Sequence, residues 1–196
     1  MDFTQLMEQR YSCREYTDEP LSAEELQELI EAANAAPVGS ARYMDLHMTV
    51  VRDREILSRL SEALFVRVEK KRQEMAAIVE TVESQSADSM PKDPFYGAPA
   101  VIFISHKKQD LQPGIEWCNA MNLAMFIHLK ATDMGLGSCF SWGVLESERI
   151  YPEHAHNELL DLPEGFEPLI GIIVGHPAKR DEIRKARKDR VSSRFI

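Results

Sequence analysis

Apolar and polar positions along this chain follow two different periods, and the changes from one to the other mark out its elements. Ser22-Ala23-Glu24-Glu25 opens the clearest helical stretch. The serine hydroxyl can accept from the third helical N–H while Glu25 reaches back to the serine amide. Leu26, Leu29, Ile30 and Ala33 then recur at i, i+3, i+4 and i+7, and Pro37 ends the pattern. Leu46 to Val51, bounded by Asp45 and by Arg52-Asp53, predicts a strand, and Asp53 can cap a long charged helix running to Val79. From Glu80 to Asp93 the periodicity fades among Ser84, Ser86, Ser89 and Pro91, as it does in a loop or a fraying helix end. Val101 to Ser105, after Gly97-Ala98-Pro99, and Leu169 to Val174, before Gly175-His176-Pro177, read as short buried strands. Ile115 to Met134 is apolar on nearly all faces and stops at Gly135, which predicts a helix enclosed in a core or a subunit interface. Helices and strands are mixed without strict alternation, so the expected class is α+β with a central sheet.

Composition narrows the class further. With 196 residues, 44% of them hydrophobic, the chain can bury a real core, and no Gly/Ser/Pro-rich linker or repeat divides it, so a single domain over 1–196 is expected. Cys13, Cys118 and Cys139 are odd in number and lack the C-x-x-C spacing of zinc or thioredoxin-type centres, which suits a reducing cytoplasm. The start MDFTQLMEQR has no apolar core of signal-peptide length. The longest nearly uncharged run, Trp117 to Leu129, is too short to span a bilayer, so no membrane role is expected.

Charge is unevenly placed. The tail from Lys179 to Arg194 carries eight basic residues against three acidic ones, about +5, in a chain whose net charge is −9. The remainder is therefore strongly acidic, which argues against nucleic acid as the main partner. Arg10-Tyr11-Ser12-Cys13-Arg14 forms a second basic island near the other end. Two such islands in an acidic chain point to one shared anion.

Several chemistries are absent from the sequence. There is no G-x-x-x-x-G-K-[ST], H-E-x-x-H or G-x-S-x-G. Gly135-Leu136-Gly137 has only the first glycines of a dinucleotide fingerprint and follows a helix instead of a strand, which argues against a Rossmann site. His154-x-His156 is the one close histidine pair, and with no third ligand nearby it reads as solvated, so no metal site is expected. In an extended backbone Arg10, Ser12 and Arg14 share one face at steps of about 7 Å. That ladder suits an elongated anion held by charge-assisted hydrogen bonds, although spacing alone favours a charged helix-to-strand turn paired with Glu8 and Glu15.

Four stretches, taken in order, resemble the nitroreductase family of FMN-dependent oxidoreductases. Arg10-Tyr11-Ser12-Cys13-Arg14 matches the family's opening R-x-S-x-R, and Ala36-Pro37-Val38-Gly39-Ser40-Ala41 stands where the family has A-P-S-x-x-N. Asp93-Pro94-Phe95-Tyr96-Gly97-Ala98-Pro99 is similar to the segment entering the second strand, and Met134 to Gly143 to the G-L-G-[ST]-C-W-I-G run. The resemblance covers almost the whole chain. It implies an α+β fold with a mixed or antiparallel sheet flanked by helices, in an intertwined homodimer with FMN at the subunit interface.

The resemblance also implies roles. Arg10 and Ser12, with Arg187 and Lys188 of the tail, would hold the FMN phosphate, and Tyr11 would lie in the same cofactor-binding segment. Arg14 would face the pyrimidine side, where a fixed cation stabilises the reduced anionic flavin. Trp142 and Gly143 would offer main-chain N–H groups to the opposite edge, and Pro37, Val38 and Gly39 would come from the partner. NADH or NADPH would deliver hydride in a ping-pong cycle to an acceptor such as a nitroaromatic or a quinone, with no catalytic side chain beyond Arg14 as electrostatic stabiliser. Cys13 and Cys139 are not needed as nucleophiles. Val38 and Ala41 replace the family's Ser and Asn, and Tyr43-Met44-Asp45 its Q-P-W, so the ring pocket is expected to be more apolar. A flavin-binding sensor or carrier with little turnover, or a reductive dehalogenase or dehydrogenase, is the alternative expectation.

Overall fold

The computed structural model describes residues 2–62, 93–141, 156–179, 192 and 194. The chain opens with α1 (Phe3–Gln9), capped by Asp2 and Gln5 in a reciprocal pair of hydrogen bonds, a capping box legible in D-x-x-Q. Next comes α2 (Ala23–Asn34), with Ser22 and Glu25 capping as expected and Leu26, Leu29 and Ala33 buried. β1 (Leu46–Val51) has the bounds the sequence suggests. Asp53 Oδ1 then accepts from the amides of Glu55 and Ile56, opening α3, helical over 54–62; the rest of the long charged helix lies outside the described residues.

The second half supplies β2 (Ala100–Lys107), α4 (Ile115–Asp133), β3 (Gly137–Ser141), the short α5 (His156–Leu159) and β4 (Phe166–Gly175). The sheet has the order β1-β2-β4-β3, and every pairing is antiparallel, which settles the mixed-or-antiparallel expectation for these strands. β2 and β4 occupy the centre and are buried almost throughout, as continuous runs such as Ala-Val-Ile-Phe-Ile require. α4 lies across β2, β3 and β4 and packs against α2.

α4 is not enclosed on all sides. Ala120, Leu123, Ala124, Ile127 and Ala131 face the core. Cys118, Met125 and Phe126 are exposed, although the sequence is apolar there as well. Its end is set by Gly135, whose φ of 76° takes the left-handed conformation that closes a helix.

Two local conformations carry measurable cost. Ser40 and Ala41 sit at φ 57° and 51° in the turn after Pro37. Asparagine tolerates that region and alanine does not, so the turn keeps a shape that Ala41 fits poorly. Within α4, His128 is buried among apolar side chains, and burial first, then the Arg10 charge, pushes its pKa down to about 4.

Each cost gives a prediction. Ala41→Gly relieves the left-handed strain and should stabilise the chain by about 1 kcal/mol, read as a raised denaturant midpoint; a lowered midpoint would refute the strain. For His128, the unfolded chain takes up a proton near its ordinary value of 6.5 and the folded chain only near 4, so stability is full above 6.5 and falls as pH drops. Its contribution to the loss by pH 5 should be about 2 kcal/mol, measured as the difference in pH dependence between wild type and His128→Leu. Parallel curves for the two proteins between pH 7 and 5 would overturn the assignment.

Candidate functional site

The segment after α1 is built by its neighbours. Arg10 caps α1 with extended backbone, its N–H donating to the Leu6 carbonyl, and the chain then runs alongside β3. Ser12 forms a parallel bridge with Ser138, and the Cys13 N–H donates to the Ser138 carbonyl at 2.9 Å. On the other side the chain leaving β4 pairs back: Thr17 N–H donates to the His176 carbonyl at 2.9 Å and Ala178 N–H to Glu15 at 3.0 Å. The Tyr16 hydroxyl donates to the Cys13 carbonyl at 2.9 Å, and that of Tyr11 to Lys179 at 3.3 Å. The beginning of the basic tail therefore does meet the opening segment. Gly137 permits the contact with β3, because a Cβ there would lie 2.6 Å from Cys13 Sγ and 2.8 Å from its Cβ.

Arg10 Nη1 donates to His128 Nε2 at 2.9 Å, and His128 Nδ1 is hydrogen-bonded to the Ser138 hydroxyl. Arginine can only donate, so Nε2 must accept and the ring hydrogen belongs on Nδ1. Arg14 is exposed; its Nη1 donates to the Ser12 carbonyl at 3.5 Å, and its guanidinium carbon lies 6.0 Å from the centroid of the Tyr96 ring. The neighbouring Tyr96 is the main reason the Arg14 pKa lies above its ordinary value. Burial pushes the Cys139 thiol up, against the opposing pull of Arg14 and the Ser12 hydroxyl, so this sulfur is an unreactive thiol at neutral pH. Among the described residues no carboxylate pairs with Arg10 or Arg14, and neither Glu8 nor Glu15 neutralises them as a charged turn would require. Two guanidinium groups and a hydroxyl thus share one edge of the sheet, in a region suited to an anion.

Pro37, Val38 and Gly39 stand elsewhere. Asn122 donates to the Pro37 carbonyl at 3.1 Å, and Gly39 N–H donates to Asn119 Oδ1 at 2.8 Å. These supports lie about 9–14 Å along α4 from His128, at 1.5 Å per residue. Among the described residues the two groups are held at different points along α4. Gly39 instead lines a separate hollow of about 240 Å³ with Arg42, His106 and Gln112, which excludes Arg10, Ser12 and Arg14. Trp142, Gly143, Arg187 and Lys188 lie outside the described residues. His128, Ser138 and Tyr96 belong to the site's surroundings and were not singled out from the sequence. A lone histidine within an otherwise apolar helix was the available signal for the first. Among the described residues no helix is long and apolar enough to cross a membrane.

Known proteins share this fold. The fold matches a nitroreductase with bound FMN from Desulfitobacterium hafniense DCB-2, with a TM-score of 0.79 at 23% identity, over 98% of this chain and 97% of that one. An FMN-dependent nitroreductase from Clostridium difficile R20291 gives 0.72 at 27% identity, over 97% of both chains. In sequence, the chain is 27% identical over 175 residues to the FMN reductase [NAD(P)H] of Bacillus subtilis strain 168, covering 86% of this chain and 63% of that protein. The family model described as "Nitroreductase family" matches residues 7–176, a span that takes in the end of α1, the Arg10–Arg14 edge, α4 and the whole sheet. By that match, and with the fold in agreement, the chain belongs to the nitroreductase family.

Proposed function

We propose that this chain is an FMN-dependent oxidoreductase that takes electrons from NADH or NADPH and passes them, in a ping-pong cycle, to an electron-poor acceptor such as a nitroaromatic or a quinone. The observation that carries the reading is the placement of Arg10, Ser12 and Arg14 on one strand edge without carboxylate partners among the described residues. Support comes from relatives named as an FMN reductase [NAD(P)H] and an FMN-dependent nitroreductase. When bound, FMN supplies the two-electron chemistry.

The residues present fit that cofactor. Arg10 offers a planar fork and Ser12 a hydroxyl to a phosphate dianion, and Arg187 and Lys188 are the tail's candidates for the remaining charge. Arg14 keeps its charge at any working pH and is assigned to the electron-rich side of the reduced ring, with Tyr96 restraining its guanidinium. Trp142 and Gly143 are assigned to the opposite edge of the ring. Pro37, Val38 and Gly39 are assigned to the ring bound by a second copy, because within one chain they stand apart from the cationic edge.

A homodimer follows from that assignment, and the surface supports it. Phe3 and Met7 on α1 are 64% and 51% exposed, and Met125 and Phe126 on the adjoining α4 are 37% and 36% exposed. Large apolar side chains presented together by two packed helices suit an interface between copies.

Two outcomes test this reading. The purified protein should show flavin absorbance that bleaches anaerobically with NADH or NADPH, and Arg10→Ala should weaken FMN retention by about tenfold with a shallower salt dependence. A protein that takes up no FMN, or an Arg10→Ala variant that holds it as tightly as wild type, would sink the proposal. Met125→Glu with Phe126→Glu should convert a dimer into a monomer in analytical ultracentrifugation and lower FMN retention with it. A doubly substituted chain that stays dimeric would move the interface elsewhere.

A further inference from the structure

His128 occupies a position that an aliphatic side chain would fill at no electrostatic cost. It is 1% exposed, beside buried Ala124, Ile127 and Ala131, with its ring centroid 5.0 Å from that of Phe140. A buried imidazole is tolerated only when its nitrogens are satisfied. Here Nε2 accepts from Arg10 Nη1 at 2.9 Å, and Nδ1–H is directed to the Ser138 hydroxyl. The same Ser138 accepts the Cys13 N–H through its carbonyl at 2.9 Å and bridges Ser12 through its backbone. A side-chain relay and a backbone pairing thus leave the same residue and return to opposite ends of the same short segment. Residues 10 to 13 are fixed at both ends.

We propose that His128 is a positioning residue that orients the Arg10 guanidinium and thereby makes the chain select a phosphorylated flavin over the same flavin without its phosphate. The inference rests on the assignment of Arg10 to the FMN phosphate. One of the five N–H donors of Arg10 is spent on His128, and that contact sets the plane of the fork. An arginine ordered before the ligand arrives loses less side-chain freedom on binding. Burial keeps the imidazole neutral at physiological pH, so it accepts from the guanidinium without adding a repelling charge. Riboflavin has no phosphate for Arg10 to grip, so its affinity should be indifferent to the relay.

The test measures dissociation constants of the full-length apoprotein for FMN and for riboflavin, from the change in flavin fluorescence. The proteins are wild type, His128→Leu, His128→Gln, Arg10→Ala and the double variant Arg10→Ala/His128→Leu. His128→Leu should weaken FMN by about tenfold while riboflavin changes by less than about twofold. His128→Gln, whose amide oxygen can accept from Arg10, should stay within about threefold of wild type. The double variant should bind FMN no more weakly than Arg10→Ala alone, because the histidine acts only through the arginine.

An FMN-to-riboflavin ratio unchanged by His128→Leu, or losses that add in the double variant, overturns the inference. If Arg10→Ala collapses the ratio and His128→Leu does not, this inference alone falls and the phosphate assignment survives. If Arg10→Ala leaves the ratio as it was, the phosphate assignment fails and takes the inference with it. Should His128→Leu not fold, Ser138→Ala decides: removing the hydroxyl that accepts from Nδ1–H and holds the ring in place should lower the ratio by about threefold, and an unaltered ratio counts against the relay.

Discussion

The start of β3 is the pivot of this molecule's candidate site. Ser138 uses its backbone to seat the Ser12–Cys13 segment and its hydroxyl to hold His128, which in turn holds Arg10. Without that residue at the sheet edge, the opening segment would have neither its register nor its oriented cation. The close contact between Gly137 and Cys13 belongs to the same constraint, since any side chain at 137 would push the segment off the strand.

Electrostatics explains why such a scaffold is needed. A chain with net charge −9 repels a dianion at long range, so the attraction has to be local and well aimed. Arg10 and Arg14 achieve this by different means. Arg10 is half-buried and aimed through a hydrogen bond to a neutral ring, whereas Arg14 is exposed and restrained by Tyr96 and the Ser12 carbonyl. A neutral partner orients a cation without cancelling it, which a carboxylate could not do.

Much of the scaffold was legible in the sequence because its signals are local. The S-A-E-E box placed α2, the charged residues flanking Leu46–Val51 placed β1, and Gly135 marked the end of α4. The reading of α4 as enclosed by a core or a subunit interface is met by the core on one face only: Cys118, Met125 and Phe126 face outward within one chain. Periodicity reports that a face is apolar and says nothing of which surface covers it. The Arg10–His128 contact was not legible, since it joins residues 118 positions apart and nothing local in either segment specifies the other. For the same reason family resemblance, which compares whole patterns, drew together the Arg10–Arg14 and Pro37–Gly39 stretches that spacing alone left unrelated.

α4 deserves to be seen as a gauge bar. Near one end it carries the imidazole that aims Arg10, and nearer the other the two asparagines that carry the Pro37 turn. Deleting one residue between Asn122 and His128 would swing these two fittings about 100° around the axis and shorten their separation by about 1.5 Å. The stretch can therefore drift in composition far more freely than in length, and a homologous chain with a gap there would have to have rebuilt one of the two fittings.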